Sequence, residues 1–203
     1  MHPRIHHEPV EQTASAYLKY KIAVSGAAVT SHCPGEAHKQ AEEIGREIVR
    51  HNAVVVTGAT TGMPYWAAKG AKEEGGISIG LSPASTEREH VQDYKLPVDY
   101  FDLIIYTGFN YSGRNLMLMR SADAIIVTCG RIGTLNEFTI AFEDDKPIGI
   151  LDTPESEGTV DLIKQIIDVA DRGPGKIVYD NNPKRLVEKV IELINQDKTV
   201  TRT

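Results

Sequence analysis

Short runs of β-branched residues alternate along this chain with longer amphipathic stretches. The run at residues 54–56 consists of three valines, and a strand that is apolar at every position is typical of a sheet covered by helices on both faces. Between such runs the apolar residues follow a helical period, as Ala41, Ile44 and Ile48 do at three- and four-residue spacing. This alternation indicates a largely parallel sheet, because parallel strands need a crossover helix between them.

We therefore predict one Rossmann-like, doubly wound α/β domain over residues 21–203, preceded by a polar tail or oligomer arm at residues 1–20. Its mostly parallel sheet has about seven strands, with helices on both faces. The predicted strands are residues 21–25, 54–56, 77–81, 103–106, 124–127, 148–151 and 177–178. The predicted helices are residues 36–51, 62–74, 112–121, 134–143, 160–170 and 183–195. No linker or internal repeat divides the chain, which is long enough to bury a sizeable core.

The composition of the chain limits the cellular compartment and the classes of partner that we expect. The formal net charge of −6 disfavours general nucleic-acid binding, so an anionic ligand needs a local site that overcomes the overall field. Two cysteines are too few for a disulfide-rich secreted scaffold or a four-cysteine zinc site, which makes a reduced, cytoplasmic setting the default. The apolar runs fall far short of the roughly 20 residues that span a bilayer, and we expect no membrane segment.

The chemistry is expected in the loops that follow the predicted strands, because ligands bind at the carboxyl ends of an open parallel sheet. Five of these loops contain glycine, or a small residue beside proline or a hydroxyl, so the backbone can approach a ligand closely. Any one loop can be merely a tight connection, but five in succession favour a phosphate or nucleotide site, formed in part by unpaired N–H groups at helix starts. The candidate ligand-binding residues are Ser25, Gly26, Gly58, Thr60, Thr61, Gly62, Gly130, Arg131, Ile132, Gly133 and Thr134.

Two common nucleotide-binding motifs are missing. The first loop lacks the second and third glycines of G-x-G-x-x-G, and the second strand ends in Thr57 where an acidic ribose ligand is expected, which disfavours NAD. In the loop after that strand, Gly62 is followed by Met63 and Pro64 instead of the lysine of a phosphate-binding P-loop.

The most specific pattern lies in residues 114–137. It comprises Arg-Asn at residues 114–115, Ser-Ala-Asp at residues 121–123 before a strand, and Cys-Gly-Arg-Ile-Gly-Thr-Leu-Asn-Glu at residues 129–137 after it. This pattern resembles the cytokinin-activating phosphoribohydrolases of the Lonely Guy type, often labelled lysine decarboxylases, and the related molybdenum-cofactor carrier proteins. These families share P-G-G-x-G-T-x-x-E after an Arg-Lys or Arg-Asn pair, and their G-G-G-x-x-G-[LM] loop is similar to residues 57–63.

The resemblance extends over most of the chain and is nearer to the carrier-related branch. Cys129 and Arg131 replace the proline and second glycine of the signature, whereas Gly133, Thr134 and Glu137 are kept. An arginine in this loop can clamp a phosphate or fill the space of a substrate's sugar. Both interpretations stay open from the sequence.

The resemblance implies two functions. In the hydrolase branch, water splits a nucleoside 5′-monophosphate into base and ribose 5-phosphate through an oxocarbenium-like transition state. Glu137 then stabilises the sugar charge and orients the water, Arg114 holds the substrate, and residues 130–134 bind the phosphate. No metal or organic cofactor is required. The alternative is a non-catalytic protein that carries the molybdenum cofactor or a nucleotide; in either case the resemblance implies a homodimer or larger homo-oligomer.

Structural explanations compete with these roles. Thr134 and Glu137 have the spacing of a helix capping box. Arg114 can be a solvated arginine at a helix start, and Asp123, before the fifth predicted strand, is expected to be structural.

Other metal or nucleophile candidates are weaker. His32, Cys33 and His38 lie close together but lack a fourth ligand for zinc. Cys129 can be a nucleophile only beside a histidine, and at the end of a buried strand we expect a small apolar residue.

Overall fold

Seven parallel strands form one sheet in the computed structural model, which describes residues 18–33 and 35–201. Their order across the sheet is β4-β3-β2-β1-β5-β6-β7. The strands are β1 (Lys21–Ser25), β2 (Val54–Thr57), β3 (Ser78–Ser82), β4 (Leu103–Tyr106), β5 (Ala124–Val127), β6 (Ile148–Leu151) and β7 (Ile177–Asp180). The helices are α1 (Ala37–Arg50), α2 (Met63–Glu73), α3 (Asn110–Ser121), α4 (Ile132–Glu143), α5 (Glu157–Ala170) and α6 (Pro183–Thr201). The predicted Rossmann-like fold is confirmed.

The central strands of the sheet are buried on both faces, as their apolar sequences predict, whereas the edge strand β4 is partly exposed. Ile22 and Val24 of β1 pack with α1, α2 and α6 on one face, whereas Ala23 packs with α3, α4 and α5 on the other. Since successive side chains of a strand point to opposite faces, each central strand contributes to both cores. Along the central strands, the covering helices therefore leave only the strand ends free for ligands.

The observed boundaries differ from the predicted ones mainly at helix starts. Helix α3 begins at Asn110 and α4 at Ile132, each two residues earlier than predicted. A π-helical turn at Glu89–Asp93 and a 3₁₀ turn at Pro154–Ser156 were not predicted, because such short turns have no apolar period. The predicted N-terminal tail lies, for residues 1–17, outside the described residues.

The order of the strands creates a crevice beside β1. Strand β1 pairs with β2 on one side and with β5 on the other. The helices that follow β1 and β5 cover opposite faces of the sheet, which leaves a gap between their first turns. Open sheets bind ligands at such a switch point, beyond the carboxyl ends of the strands. Within the described residues, no helix is both long and apolar enough to cross a membrane.

Candidate functional site

A cavity of about 370 Å³ lies at the carboxyl ends of β1, β2 and β5. The loops after these strands and the first turns of α3 and α4 form its walls. It brings together nine of the predicted site residues, namely Gly26, Gly58, Thr60, Arg114, Arg131, Ile132, Gly133, Thr134 and Glu137. Residues separated by more than 100 positions in the sequence thus meet at one end of the sheet.

Four predicted ligand-binding residues do not line the cavity. Ser25 donates its hydroxyl to Glu137, and Thr61 donates to the carbonyl of Ala28 at 3.0 Å. Gly62 packs against the backbone of the loop after β1, and Gly130 packs against the side chain of Thr134. These residues support the walls instead of forming the inner surface.

Other lining residues were not predicted. They are Val24, Ala27, Ala28, Val29, Pro64, Tyr111 and Asn115. Asn115 belongs to the Arg-Asn pair of the pattern, so its signal was present in the sequence. Tyr111 was missed because α3 begins one residue before it, whereas the predicted helix began one residue after it.

The start of α4 supplies unpaired hydrogen-bond donors. Arg131 precedes the helix in an extended conformation, and no side chain caps the helix. Among the described residues, no acceptor pairs with the N–H groups of Ile132, Gly133 and Thr134. All three residues line the cavity, so a partial positive charge and free donors meet there.

This geometry excludes the capping box that the spacing of Thr134 and Glu137 suggests. The helix begins at Ile132, so Thr134 is its third residue and not the residue before its start. Glu137 consequently lies one turn inside the helix and its carboxylate reaches Ser25 and Arg114.

A buried ion pair forms the floor of the cavity. Arg114 and Glu137 are only 5% and 6% exposed, and Arg114 Nη1 donates to Glu137 Oε1 at 3.2 Å. The hydroxyl of Ser25 donates to the other carboxylate oxygen. With its nitrogen turned toward the carboxylate, the Asn115 amide also donates to Oε1 at 3.0 Å. Arg114 is therefore not the solvated arginine of the structural alternative.

The guanidinium of Arg114 is left with spare donor capacity. Its Nε is buried and has no hydrogen-bond partner among the described residues. Gly58 lies directly against the guanidinium, and a Cβ at this position would overlap it. The cavity wall therefore carries a buried positive charge with an unpaired donor.

Burial shifts the pKa values of both partners. It raises the pKa of the Glu137 carboxyl above its usual 4.5, although the charge of Arg114 and the hydrogen bond from Ser25 oppose the shift. Burial also lowers the pKa of Arg114, against the attraction of Glu137, but a guanidinium stays charged at neutral pH. Glu137 is thus a carboxyl that holds its proton to higher pH than an exposed one.

Cys33 and Cys129 form a disulfide beside the cavity. This corrects the expectation that Cys129 is a reduced, apolar residue. The two cysteines are 96 positions apart, but their loops follow the paired strands β1 and β5, which brings their Cα atoms to 5.9 Å. Sequence spacing gives no signal for such a pair.

The remaining polar candidates have structural neighbours. His38 lies apart from the two cysteines and places its ring 5.3 Å from that of Trp66. Asp123 accepts hydrogen bonds from the N–H and Nζ of Lys21 at 2.8 Å and pairs with Lys198 at 3.0 Å. These contacts lie at the amino end of β5, opposite the cavity.

The fold and the position of the cavity define an α/β protein with a crevice at the switch point of its sheet. The chain belongs to the SLOG cluster4 family, whose profile matches residues 19–187. This confirms the predicted place in the superfamily of the Lonely Guy proteins and the carrier-related branch. An uncharacterised protein of Archaeoglobus fulgidus is 30% identical over 134 residues, which cover 66% of this chain and 81% of that protein.

Two solved structures extend the likeness to proteins with named ligands. The molybdenum cofactor binding protein of Rippkaea orientalis is 26% identical, with a TM-score of 0.65 over 89% of this chain and 98% of its own. The molybdenum cofactor carrier protein of Chlamydomonas reinhardtii is also 26% identical, with a TM-score of 0.68 over 87% of this chain and 99% of its own.

Proposed function

We propose that this protein binds one small phosphorylated ligand of the nucleotide or pterin type, with its phosphate at the start of α4. The observation that carries this proposal is the set of free donors on one cavity wall. The N–H groups of Ile132, Gly133 and Thr134 have no acceptor among the described residues, and the Nε of Arg114 is also unpaired. The first N–H groups of a helix carry a partial positive charge and no intrahelical acceptor, and a phosphate can accept hydrogen bonds from several of them at once.

The rest of the cavity suits the ring system of such a ligand. Its volume of about 370 Å³ lies at the lower end of the roughly 300–1,000 Å³ found for small-molecule sites. Val24, Ala27, Val29 and Pro64 give it an apolar wall, and Tyr111 supplies an aromatic ring. Arg131, exposed at the opening, adds a second positive charge to a protein whose net charge is −6.

The molybdenum cofactor fits the same chemical description, because it combines a pterin ring with a phosphate. The similarity to two proteins that bind or carry it supports this ligand as cargo. A protein that only carries this cofactor needs no catalytic group. In this function the Arg114–Glu137 pair positions the ligand, and the carboxylate keeps the guanidinium in place.

The test of binding compares ligands that differ only in the phosphate. We expect nucleoside 5′-monophosphates, titrated by calorimetry, to bind at least about tenfold more tightly than the matching nucleosides, since charge-assisted hydrogen bonds contribute about 1.5–3 kcal/mol each. Mass spectrometry of ligand released from the purified protein identifies a pterin cargo. A side chain at Gly133 meets no atom within 4 Å, so Gly133→Glu introduces a charge with Gly133→Gln as its matched control.

Gly133→Glu should abolish binding of the monophosphate while Gly133→Gln retains more of it. Equal affinity for nucleoside and monophosphate, or equal behaviour of the two variants, would refute a phosphate at the start of α4.

Hydrolysis of a nucleoside 5′-monophosphate is the second candidate function. Glu137 lies in the cavity wall with a raised pKa, as a carboxyl that exchanges protons with water requires. In this reaction the bond from the ribose carbon to the base breaks and water adds to that carbon. Glu137 takes one proton of the water, the base leaves with the electron pair of the broken bond and takes up a proton from solvent, and Arg114 binds the substrate.

The hydrolysis assay measures ribose 5-phosphate released from a panel of nucleoside monophosphates. We expect Glu137→Gln to abolish release while the dissociation constant for the same monophosphate changes by less than about threefold. Binding without release by the wild type would leave the carrier function and eliminate the hydrolase.

We also propose that a second copy of the chain covers the outer face of β4 and α3. Leu103 and Ile105 of β4 are 54% and 43% exposed, and Phe109 at the start of α3 is 62% exposed. Tyr111 of the same helix lines the cavity, so a dimer on this face would border the site. Light scattering should give a dimer or larger assembly, and Leu103→Glu should dissociate it. A monomeric wild type would refute the assembly.

A further inference from the structure

Three metal-binding side chains meet beside the cavity, where the loops after β1 and β5 touch. The donor atoms of His32, Cys33 and Cys129 all lie within 4.8 Å of one another. We propose that these side chains form a site for a thiophilic metal ion such as Zn²⁺, which becomes available when the Cys33–Cys129 disulfide is reduced.

One distance within the cluster already matches the spacing of ligands in a zinc site. Cys33 Sγ lies 3.6 Å from His32 Nε2. In a tetrahedral site with Zn–S and Zn–N bonds of about 2.3 and 2.1 Å, sulfur and nitrogen are about 3.5 Å apart. After reduction, the two sulfurs are no longer bonded and must move apart to reach the spacing of zinc ligands, with their Cα atoms starting 5.9 Å apart.

The backbone holds the cluster together independently of the disulfide. The N–H of Ala27 donates to the carbonyl of Cys129 at 2.9 Å, which ties the loop after β1 to the loop after β5. The paired strands beneath hold the two loops side by side. The ligands therefore stay preorganised when the sulfur–sulfur bond is broken.

His32 has no strong partner that would keep it from a metal. Its Nδ1 is buried without a hydrogen-bond partner among the described residues. Its Nε2 makes only a long contact of 3.3 Å with the carbonyl of Gly130, besides the contact with Cys33. The half-buried imidazole thus makes no short hydrogen bond that a metal ion would have to displace.

The accessibility of the cluster fits an exchangeable ion. His32 and Cys33 are half-buried, whereas Cys129 is 4% exposed, so an ion can reach the site from solvent and be held against the interior. Three protein ligands leave the fourth position of a tetrahedral ion to water, as in zinc sites that remain open.

Two chemical steps, reduction and metal binding, convert the disulfide form to the metal-bound form. A dithiol reductant supplies two electrons and two protons, which convert the disulfide to two thiols while the reductant becomes a disulfide. Each thiol then loses its proton to solvent when it binds Zn²⁺, and His32 binds as the neutral imidazole. Oxidation by a disulfide of higher potential reverses the first step and releases the ion.

The experiment titrates the full chain with Co²⁺, a spectroscopic substitute for Zn²⁺, after reduction and anaerobic removal of the reductant. We expect one equivalent of Co²⁺ to produce a thiolate-to-cobalt charge-transfer band with the visible bands of a tetrahedral ion, both removed by Zn²⁺. The disulfide form should show neither. His2, His6 and His7 can bind cobalt through imidazole but give no thiolate band.

Variants identify the ligands. Cys33→Ser and Cys129→Ser should lose the thiolate band or reduce its intensity, and His32→Ala should weaken binding by at least the roughly 10-fold that loss of a supporting group costs a metal site. His38→Ala is the matched control and should bind as the wild type does. Circular dichroism checks that each variant is folded.

A second measurement does not depend on the variants. In the reduced wild type, Zn²⁺ should protect both cysteines from alkylation, and mild oxidation should link them, as read by mass spectrometry. Absence of a thiolate band in the reduced protein, a full band in Cys129→Ser, or cysteines that Zn²⁺ fails to protect would each overturn the proposal.

Discussion

Two glycine-containing loops of this protein each follow a buried strand but differ in structure. The loop after β2, residues 58–62, and the loop after β5, residues 128–131, both join a buried strand to a helix. At the start of α2 the N–H of Met63 already donates to the carbonyl of Ala27 at 3.0 Å, and Pro64 has no N–H. At the start of α4 the corresponding donors have no acceptor among the described residues.

Gly62, at the end of the first loop, and Gly133, in the first turn of α4, have different surroundings. Gly62 has a φ of +74° and a Cβ there would collide with the backbone of Ala27 and Ala28, so it is required for close packing. A Cβ at Gly133 would meet nothing within 4 Å. The difference teaches that glycine at a strand end does not by itself indicate a ligand; a helix start whose donors are still free does.

The largest expected effect is that of Gly62→Ala. The positive φ and the collision with a carbonyl group should together lower the free energy of unfolding by about 4 kcal/mol, measured by urea denaturation. Gly133→Ala is the matched control and should change it by less than about 0.5 kcal/mol. A small effect of Gly62→Ala, or a large one of Gly133→Ala, would break the distinction between the two loops.

Loss of one partner of the buried pair should have the next largest effect. Arg114→Met leaves the Glu137 carboxyl buried without its cation, which should cost about 3 kcal/mol in the same assay. The double variant Arg114→Met with Glu137→Met should be more stable than Arg114→Met alone by at least about 1 kcal/mol, because no charge remains to be buried. If the two substitutions are simply additive, the pair is not energetically coupled.

The pH dependence of stability tests the state of Glu137. Burial raises the pKa of this carboxyl in the folded protein above 4.5, so the folded state binds the proton more tightly than the unfolded state does. The stabilisation is complete below pH 4.5 and is lost as the pH rises through the folded pKa.

Glu137→Gln cannot ionise, so the stability of the wild type relative to this variant should fall as the pH rises above 4.5. Unfolding of both proteins across this pH range checks the prediction. A relative stability that grows with pH would mean that Arg114 lowers the pKa of Glu137.

The smallest expected effect is that of Thr61→Ala. Thr61 is exposed and donates only to the carbonyl of Ala28, so its loss should cost less than about 1 kcal/mol. Affinity for a nucleoside monophosphate should stay within about twofold of the wild type. A tenfold loss of affinity would show that the loop after β2 contacts the phosphate after all.

Most of the fold could be predicted because apolar periodicity determines it. Strands β1, β4, β5 and β6 have their predicted boundaries, since each is an apolar run that ends in polar or small residues. Helix starts were less predictable: α4 begins at Ile132, inside a loop whose glycines suggested a later start.

The parts of the site that depend on pairing between distant residues could not be predicted from the sequence alone. The disulfide between Cys33 and Cys129 follows from the adjacency of β1 and β5, which no local pattern encodes. The same holds for the hydrogen bond from Ser25 to Glu137. By contrast, the pattern at residues 129–137 placed Gly133, Thr134 and Glu137 in one region, because a single helix turn brings them together.

The most direct test of the central claim is a crystal structure with the tightest-binding nucleoside monophosphate of the panel. We predict phosphate oxygens within about 3 Å of the N–H groups of Gly133 and Thr134, with the guanidinium of Arg114 toward the ligand. A phosphate bound instead against residues 60–62, or a ligand bound outside the cavity, would contradict this account.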